Sequence, residues 1–452
     1  MNRAVAIVVL VLLACAGRSL ADGPERKEQP RADRGREAVH GQPPLNPPVW
    51  APAAYENAWR AWGLKEKPSN YDTAFRERYG LHAPPYENGG LPMGIHVAPG
   101  RFGKGLAADC LLCHAGSVAG KAYIGLGNAS LDMQSLFEEM PAFGSSPLPP
   151  PIRLTNVRGT VEATAVVTFL MEFRNPDLSL RLPTNLNVKG DLCEDVPAWW
   201  HLKRKKTMYH TGSGHARSVR TMMPFLLSPF NSAEDIKKLE PVFADIQEYL
   251  LTLEPPKYPF SIDPGLAAHG GALFNENCAK CHGTYGPEGK YPSKVVPLDV
   301  IGTDRGLAEY TKPEFVKHYA ASWFAQEKDP NGKPFPLQTV RGYQAPPLDG
   351  VWATAPYFHN GSVPTVYHVL NSQGRPKVFT RSFGAAKEDY DVDNLGLKVT
   401  VLHHPLDTKM PARERRKIYD TTQPGRGNSG HTFGDALTDA ERRAIIEYLK
   451  TL

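Results

Sequence analysis

The sequence is poor in cysteine and carries little net charge. It has 6 cysteines in 452 residues and a formal net charge of +5. Four cysteines lie in two short motifs and one lies in the apolar N-terminal stretch, so only Cys193 remains. A disulfide framework is therefore not expected, and we predict that Cys193 is a plain buried thiol. The small net charge gives no support to nucleic-acid binding.

Long hydrophobic runs are missing after the N-terminus, so the sequence predicts no transmembrane helix. The short apolar run from Ala4 to Ala14 follows Arg3, which is typical of a signal peptide over residues 1–21. The alternative is a lipoprotein signal that ends before Cys15, whose lipid would anchor the chain. We therefore expect a periplasmic or secreted protein, or else an outer-membrane lipoprotein.

Residues 22–48 mix charges of both signs with proline and glycine, and this composition predicts a disordered tether. Beyond it, no succession of alternating strand patterns is evident, and the 42 prolines favour long ordered loops. The predicted fold class is mainly α.

An internal repeat organises the remaining chain. Residues 245–253 read DIQEYLLTL and residues 444–452 read AIIEYLKTL, with six of nine positions identical. Ser232 and Thr438 precede these segments as helix N-cap residues, each followed three residues later by an acidic residue. The repeat predicts two related helical units.

A proline-rich stretch at 254–265 separates these units. The predicted domains are therefore residues 49–255 and residues 256–452.

Each unit contains one Cys-x-x-Cys-His motif, which is the attachment signature of haem c. Two thiols on one helical turn can add to the two vinyl groups of a porphyrin, and the adjacent histidine can bind the iron. Half a zinc site or a redox dithiol is the alternative, but two copies behind a signal peptide favour haem. We expect two covalently bound haem c groups on these residues: Cys110, Cys113, His114, Cys278, Cys281 and His282.

The ligand opposite each motif histidine decides what the iron can do. Residues 115–200 contain no histidine. Met133 and Met140 lie in a helix-like stretch and are expected in the core, and His96 is a remote upstream candidate. The sequence therefore predicts a first haem that is five-coordinate or holds only water opposite His114.

The second haem has several candidate ligands, of which His431 is favoured. His431 lies in the glycine-rich stretch GNSGHTFG, where glycine lets the backbone approach a flat ligand closely. A surface-loop histidine is the alternative. The full set of candidates is His359, His403, His404, Met410 and His431.

Two further features are candidates for electron transfer or recognition. Trp199 and Trp200 could relay electrons between or beside the haems, although core packing explains paired tryptophans equally well. The basic run from Lys203 to Lys206 predicts a solvated face, with haem propionates or an acidic redox partner as the alternatives.

Several longer stretches resemble the di-haem cytochrome c peroxidase superfamily, and are most similar to its rubber-oxygenase branch. These are GTDRGL (302–307), PPLDGVWATAPYFHNGSVPTVYHVL (346–370), Arg375–Pro376 and GNSGHTFG (427–434). The resemblance implies two helical cytochrome c domains whose haems are close enough for electron transfer.

The resemblance also implies roles for individual residues. His431 stands where the peroxidases carry a methionine, which implies bis-histidine ligation with His282. The second histidine that the peroxidases carry after the first motif is missing, which implies an open first haem. His359 lies in the PYFHNG block and is expected near the second haem, in contact with its ligands.

Together these features predict an exported di-haem c-type oxidoreductase. The first haem, on His114, would bind dioxygen or peroxide, and the second, on His282 and His431, would transfer electrons. The partner is expected to be a small redox protein or an organic substrate, and the oligomeric state is not indicated. The alternatives are a peroxidase, instead of an oxygenase, or a pure electron carrier with both irons six-coordinate.

Overall fold

A computed structural model describes residues 29–100, 103–140, 151–183, 188, 190–227, 231–336, 341–403, 407 and 409–452. The predicted signal peptide (1–21), Cys15 and His404 lie outside the described residues. None of the helices in these ranges is long and apolar enough to cross a membrane.

The fold is mainly helical, as predicted. The α-helices are α1 Arg31–Val39, α2 Ala54–Asn57, α3 Tyr71–Tyr79, α4 Leu111–His114, α5 Met133–Glu139, α6 Ala163–Met171, α7 Ala233–Lys238, α8 Glu240–Thr252, α9 Pro264–Asn277, α10 Ala279–His282, α11 Leu298–Ile301, α12 Gly306–Tyr310, α13 Pro313–Ala321, α14 Val366–Leu370, α15 Ala412–Arg415 and α16 Asp439–Leu449. Short 3₁₀ helices cover Ala58–Trp62, Trp199–Lys203, Arg220–Leu226, Val351–Ala353, Ser372–Gly374 and Lys387–Asp389.

Small antiparallel sheets, which the sequence did not reveal, join these helices. The strands are β1 Ile95–Gly100, β2 Gly103–Ala108, β3 Ala115–Val118, β4 Lys121–Ile124, β5 Thr207–Met208, β6 Gly214–His215, β7 Val295–Pro297, β8 Gly342–Gln344, β9 Val378–Thr380, β10 Tyr390–Asp391, β11 Gly396–Leu397, β12 Thr400–Val401 and β13 Ile418–Asp420. β9 is central in a three-stranded sheet, and the other strands pair in twos, such as β1 with β2 from Ile95↔Ala108 to Gly100↔Gly103.

The two repeat segments form equivalent helices, α8 and α16. Both predicted cap residues are confirmed: Ser232 caps α7, which leads into α8, and Thr438 caps α16 directly. In each case the side chain accepts a hydrogen bond from a backbone N–H in the first turn, which has no carbonyl partner within the helix.

Each repeat helix crosses a partner helix at a glycine. α1 crosses α8 at Gly35, and α9 crosses α16 at Gly270. A Cβ atom at Gly35 would lie 2.8 Å from the backbone nitrogen of Ile246, and one at Gly270 would lie 2.9 Å from that of Ile445. Ile246 and Ile445 are aligned in the repeat, so the two helix pairs are equivalent.

The prediction of a disordered tether over residues 22–48 is therefore wrong for the described part of that range, which contains α1. The charges that suggested disorder are used in α1, where Arg31 and Arg34 form ion pairs with Asp245 at 3.0 and 2.7 Å. Ala38 and Val39 are buried in the same core as the residues of α8. The first unit thus begins with α1 and not at residue 49.

The units differ in how the first helix reaches the haem motif. α9 ends at Asn277 and Cys278 follows directly. In the first unit, residues 40 to 109, a stretch of 70 residues, separate α1 from Cys110. The inserted stretch contributes its own aromatic core, which includes Trp50, Tyr55, Tyr71, Phe75 and Tyr79.

The predicted boundary at residues 255 and 256 is bridged by packing and ion pairs. Trp200, from the first unit, is 1% exposed and belongs to the core that contains Phe274 and Trp352. Arg416 of the second unit pairs with the buried Asp132 of the first at 3.1 Å. The two units therefore pack against each other through side chains of both.

Candidate functional site

The first motif is held by a buried asparagine. Cys110 precedes α4, and His114 is the last residue of that helix. The side-chain nitrogen of Asn128 donates to the carbonyl oxygens of Gly80 and Leu112 at 2.8 and 3.2 Å, and its backbone N–H donates to Cys113 at 2.7 Å. Asn128 is 2% exposed, so α4 is anchored from within the protein.

Burial determines the protonation of the first motif. Burial raises the pKa of Cys110 and of Cys113 to about 12, with the charge of Asp109 adding to the shift. Burial lowers the pKa of His114 to about 4, which the backbone of Pro197 partly opposes. The thiols are therefore protonated and His114 is neutral near pH 7, so its imidazole has a lone pair for iron.

The second motif has a fixed histidine. Nδ1 of His282 donates to the carbonyl oxygen of Pro346 at 2.9 Å, which leaves Nε2 as the nitrogen that can bind a metal. The hydroxyl of Tyr285 donates to the carbonyl oxygen of His282 at 3.1 Å. Burial lowers the pKa of His282 and raises that of Cys278 to about 11.

His431 lies opposite His282. The two ring centroids are 6.2 Å apart and the ring planes are inclined by 59°. A histidine nitrogen lies about 2 Å from a bound metal, so two imidazoles on opposite sides of one ion place their centroids roughly 6 Å apart. Burial lowers the pKa of His431 to about 4, and this histidine is also neutral. The donor set and spacing fit a haem iron ligated by both histidines.

The loop that carries His431 has a constrained backbone. His431 itself has φ 45°, in the left-handed region, and its N–H donates to the carbonyl oxygen of Ile301 at 2.7 Å. Gly430, with φ 73°, packs so closely on Gly302 that a Cβ atom at residue 430 would collide with its backbone. This explains why the GNSGHTFG stretch is glycine-rich.

His359 is placed apart from this histidine pair. Its ring stacks on Tyr343 with centroids 3.8 Å apart, and the ring of His210 is 6.4 Å away. Among the described residues, no ring contact joins His359 to His282 or His431. The preceding residue, Phe358, instead packs on His431 at 5.9 Å. The expected contact of His359 with the ligands of the second haem is therefore not observed.

The other candidate ligands have different surroundings. Met140 is fully buried and Met133 packs on the same core, as predicted. His96 is buried and its Nδ1 is 2.8 Å from Asp109, the neighbour of Cys110. His403 is exposed and Met410 is partly exposed. Cys193 is a free thiol with 1% exposure, which confirms the prediction.

Trp199 and Trp200 connect the two motifs. The ring of Trp199 stacks on His114 with centroids 4.6 Å apart and planes 22° apart. Nε1 of Trp200 donates to the carbonyl oxygen of Asp349 at 2.8 Å. The N–H of the preceding Leu348 donates at 2.6 Å to Tyr285, which itself contacts His282. These contacts form a continuous path from one motif histidine to the other.

The basic run is not a uniformly solvated face. Lys203 pairs with Glu254, and the guanidinium of Arg204 lies 4.9 Å from the ring centroid of Tyr285. Lys205 is half-buried, and burial lowers its pKa to about 8. Only Lys206 of these residues is exposed.

Comparison with known proteins adds to this geometry. A family model described as "RoxA-like, cytochrome c-like" matches residues 342–380, which include Pro346, Phe358 and Arg375. This segment of the chain is therefore similar to a cytochrome c-like domain. It supplies the acceptor that fixes His282 and the aromatic ring that packs on His431, so it is part of the candidate site around these two histidines.

Two proteins from Sinorhizobium fredii are similar to this chain. The uncharacterized protein y4iM is 28% identical over 303 residues, which cover 57% of this chain and 64% of that protein. The uncharacterized protein y4iJ is 30% identical over 262 residues, which cover 44% of this chain and 41% of that protein. The chain thus spans less than two thirds of the length of either relative.

A solved structure of hydrazine synthase from Kuenenia stuttgartiensis, pressurised with xenon, aligns with 67% of this chain and 90% of that chain. The sequence identity is 13% and the TM-score is 0.28. Similarity at this level does not identify a shared fold.

Proposed function

We propose that this protein is an exported di-haem c-type oxidoreductase whose two haems have different roles. The haem on His114 reacts with dioxygen or peroxide, and the haem on His282 and His431 transfers electrons. Haem c supplies the redox and oxygen chemistry when it is bound, and the protein decides which iron is accessible.

The observation that carries this proposal is the difference between the two motif histidines. His282 faces a second neutral imidazole at 6.2 Å. The ring that contacts His114 is the indole of Trp199, which has no nitrogen lone pair for iron. Within the described ranges, no second histidine ring contacts His114. We infer from this difference that the first site has one protein ligand and the second site has two.

The chain's own residues also support electron transfer between the sites. Trp199 contacts the imidazole of His114, and Trp200 is bound to the backbone that leads to Tyr285 and His282. An aromatic and hydrogen-bonded path of this kind couples the sites better than open solvent. We assign the two tryptophans to this path, with an organic substrate or a small redox protein as the external partner.

The coordination of both haems tests the proposal. A pyridine haemochrome assay of the purified holoprotein should give two haem c groups per chain. The ferric spectrum should contain one high-spin haem, and carbon monoxide should shift one haem after reduction. His431→Ala should convert the second haem to high spin. Two low-spin haems that ignore carbon monoxide would instead indicate a pure electron carrier.

Turnover assays then separate oxygenase from peroxidase. Oxygen uptake in the presence of an isoprenoid would indicate a rubber-oxygenase-like dioxygenase. Peroxide consumption coupled to oxidation of a reduced small cytochrome would indicate a peroxidase. Export is tested by fractionation of the native host into periplasm, medium and membranes. A lipid-anchored form stays with the membranes until detergent extracts it.

A further inference from the structure

Arg375 lies beneath the loop that carries His431 and donates only to backbone oxygens. Its Nη1 donates to the carbonyl oxygens of Asn428 and Gly430, both at 2.7 Å, and its Nη2 donates to that of His431 at 3.2 Å. On its other side, Nε donates to the carbonyl oxygen of His368 at 2.8 Å and Nη2 to that of Val369 at 3.2 Å. One guanidinium thus joins the end of α14 to three residues of the ligand loop.

Burying the charged guanidinium of Arg375 without an ion-pair partner costs free energy. The Arg375 side chain is 9% exposed, and among the described residues no carboxylate forms an ion pair with it. Asp435, whose charge acts on Arg375, accepts its hydrogen bonds from Ser372 at 2.8 and 2.6 Å. His431 has a φ in the left-handed region, which a non-glycine residue rarely adopts. The hydrogen bonds from Arg375 to five carbonyl oxygens can hold the loop in this unfavourable conformation.

We propose that Arg375 is the positioning residue of the second haem: it locks the 428–431 loop so that the His431 imidazole stays opposite His282, and its charge favours the reduced iron. The inference rests on the proposed bis-histidine ligation. The planar fork of arginine reaches several carbonyl oxygens at once, which the single ammonium of lysine cannot do. The guanidinium also lies 5.0 Å from the ring of Phe358, which packs on His431.

The two parts of this role predict different behaviour of two variants. Arg375→Lys keeps the charge but loses the fork, so part of the second haem should become high-spin while the reduction potential of the remaining low-spin fraction changes little. Arg375→Gln loses both, so the high-spin fraction should be larger and the potential of the low-spin fraction should fall. Added imidazole should return the second haem of both variants to low spin, because the iron site itself is intact. Imidazole also binds an open first haem, so each variant is compared with the wild type at the same imidazole concentration.

Arg442 supplies a matched control. Its guanidinium also donates to three carbonyl oxygens, those of Leu370, Gly434 and Asp435, at 3.1, 3.2 and 2.9 Å. These contacts lie at the far end of the same loop and do not involve residues 428–431. Arg442→Gln should therefore loosen the region to a similar degree and leave the spectrum and the potential of the second haem unchanged.

The measurements are optical and electron paramagnetic resonance spectra with a redox titration of the full-length holoprotein. A second haem that stays low-spin with an unchanged potential in both Arg375 variants would overturn the inference, as would equal changes in Arg442→Gln. If Arg375→Gln fails to fold, Arg375→Lys with imidazole rescue decides the question. A spectrum that His431→Ala leaves unchanged would refute the proposed ligation itself, which is a separate outcome.

Discussion

The glycines at the two helix crossings give the sharpest test of the fold. A Cβ atom at Gly35 would stand 2.8 Å from the nitrogen of Ile246, and one at Gly270 would stand 2.9 Å from that of Ile445. The backbone carbonyl oxygens of Asp245 and Ala444 lie closer still to these Cβ positions. Ordinary carbon contacts begin near 3.5 Å, so the helices must separate by more than about 1 Å. The opposing atoms belong to helix backbones and cannot rotate away.

The size of the effect follows from two opposing terms. Forcing a methyl group into a packed contact costs about 1–3 kcal/mol, while alanine in place of glycine stabilises a helix by about 1 kcal/mol. Because the clash is with backbone, the cost falls in the upper part of its range. We expect Gly35→Ala and Gly270→Ala each to lower the free energy of unfolding by about 2 kcal/mol or more.

Urea denaturation followed by circular dichroism measures this change. Gly265→Ala is the control, because residue 265 lies in the first turn of α9 and a Cβ atom there meets only Asp263 at 3.4 Å. Its free energy of unfolding should stay within about 0.5 kcal/mol of the wild type. A Gly35→Ala protein as stable as the control would mean that α1 does not dock on α8.

Three further predictions follow. Asn128→Ala should destabilise the first unit by about 1–3 kcal/mol, because it leaves the buried carbonyl groups of Gly80 and Leu112 without a donor; thermal denaturation checks this. Burial raises the pKa of Glu194 to about 7 from its usual 4.5, so its contribution to stability is present below pH 4.5 and is lost as the pH rises through 7. Glu194→Gln should flatten the measured fall in stability over that interval, and an unchanged slope would contradict the shift. Trp199→Phe should slow electron transfer between the haems in flash photolysis without changing either absorption spectrum; an unaltered rate would remove the indole from the path.

Local signals in the sequence predicted local features of the site. The Cys-x-x-Cys-His spacing, the cap residues Ser232 and Thr438 and the glycine next to His431 each act within a few residues, so they can be read from the sequence directly. The His282–His431 pair was predicted from the family resemblance and the glycine-rich stretch, and the structure brings the two rings to 6.2 Å.

Features that depend on distant partners were missed. α1 is short and highly charged, and the shared partner of Arg31 and Arg34 is Asp245, 210 residues beyond Gly35. A signal was nevertheless present, since Gly35 and Val39 have the same spacing as Gly270 and Phe274. His359 was placed near the haem by its motif, but its ring faces Tyr343 because the adjacent Phe358 takes the position against His431.

The insertion between α1 and Cys110 has a consequence for local unfolding. In the second unit, α9 runs directly into its cysteine motif, so attached haem restrains that helix. In the first unit, 70 residues separate α1 from the Cys-x-x-Cys-His motif. Ion pairs with Asp245 help to hold α1 on α8, and the Arg31 side chain, which forms one of them, is half exposed. Salt screens such pairs, so the amides of α1 should exchange with solvent faster as ionic strength rises, while those of α9 keep their protection. The first unit would therefore open at its outer helix without releasing a haem bound to Cys110 and Cys113.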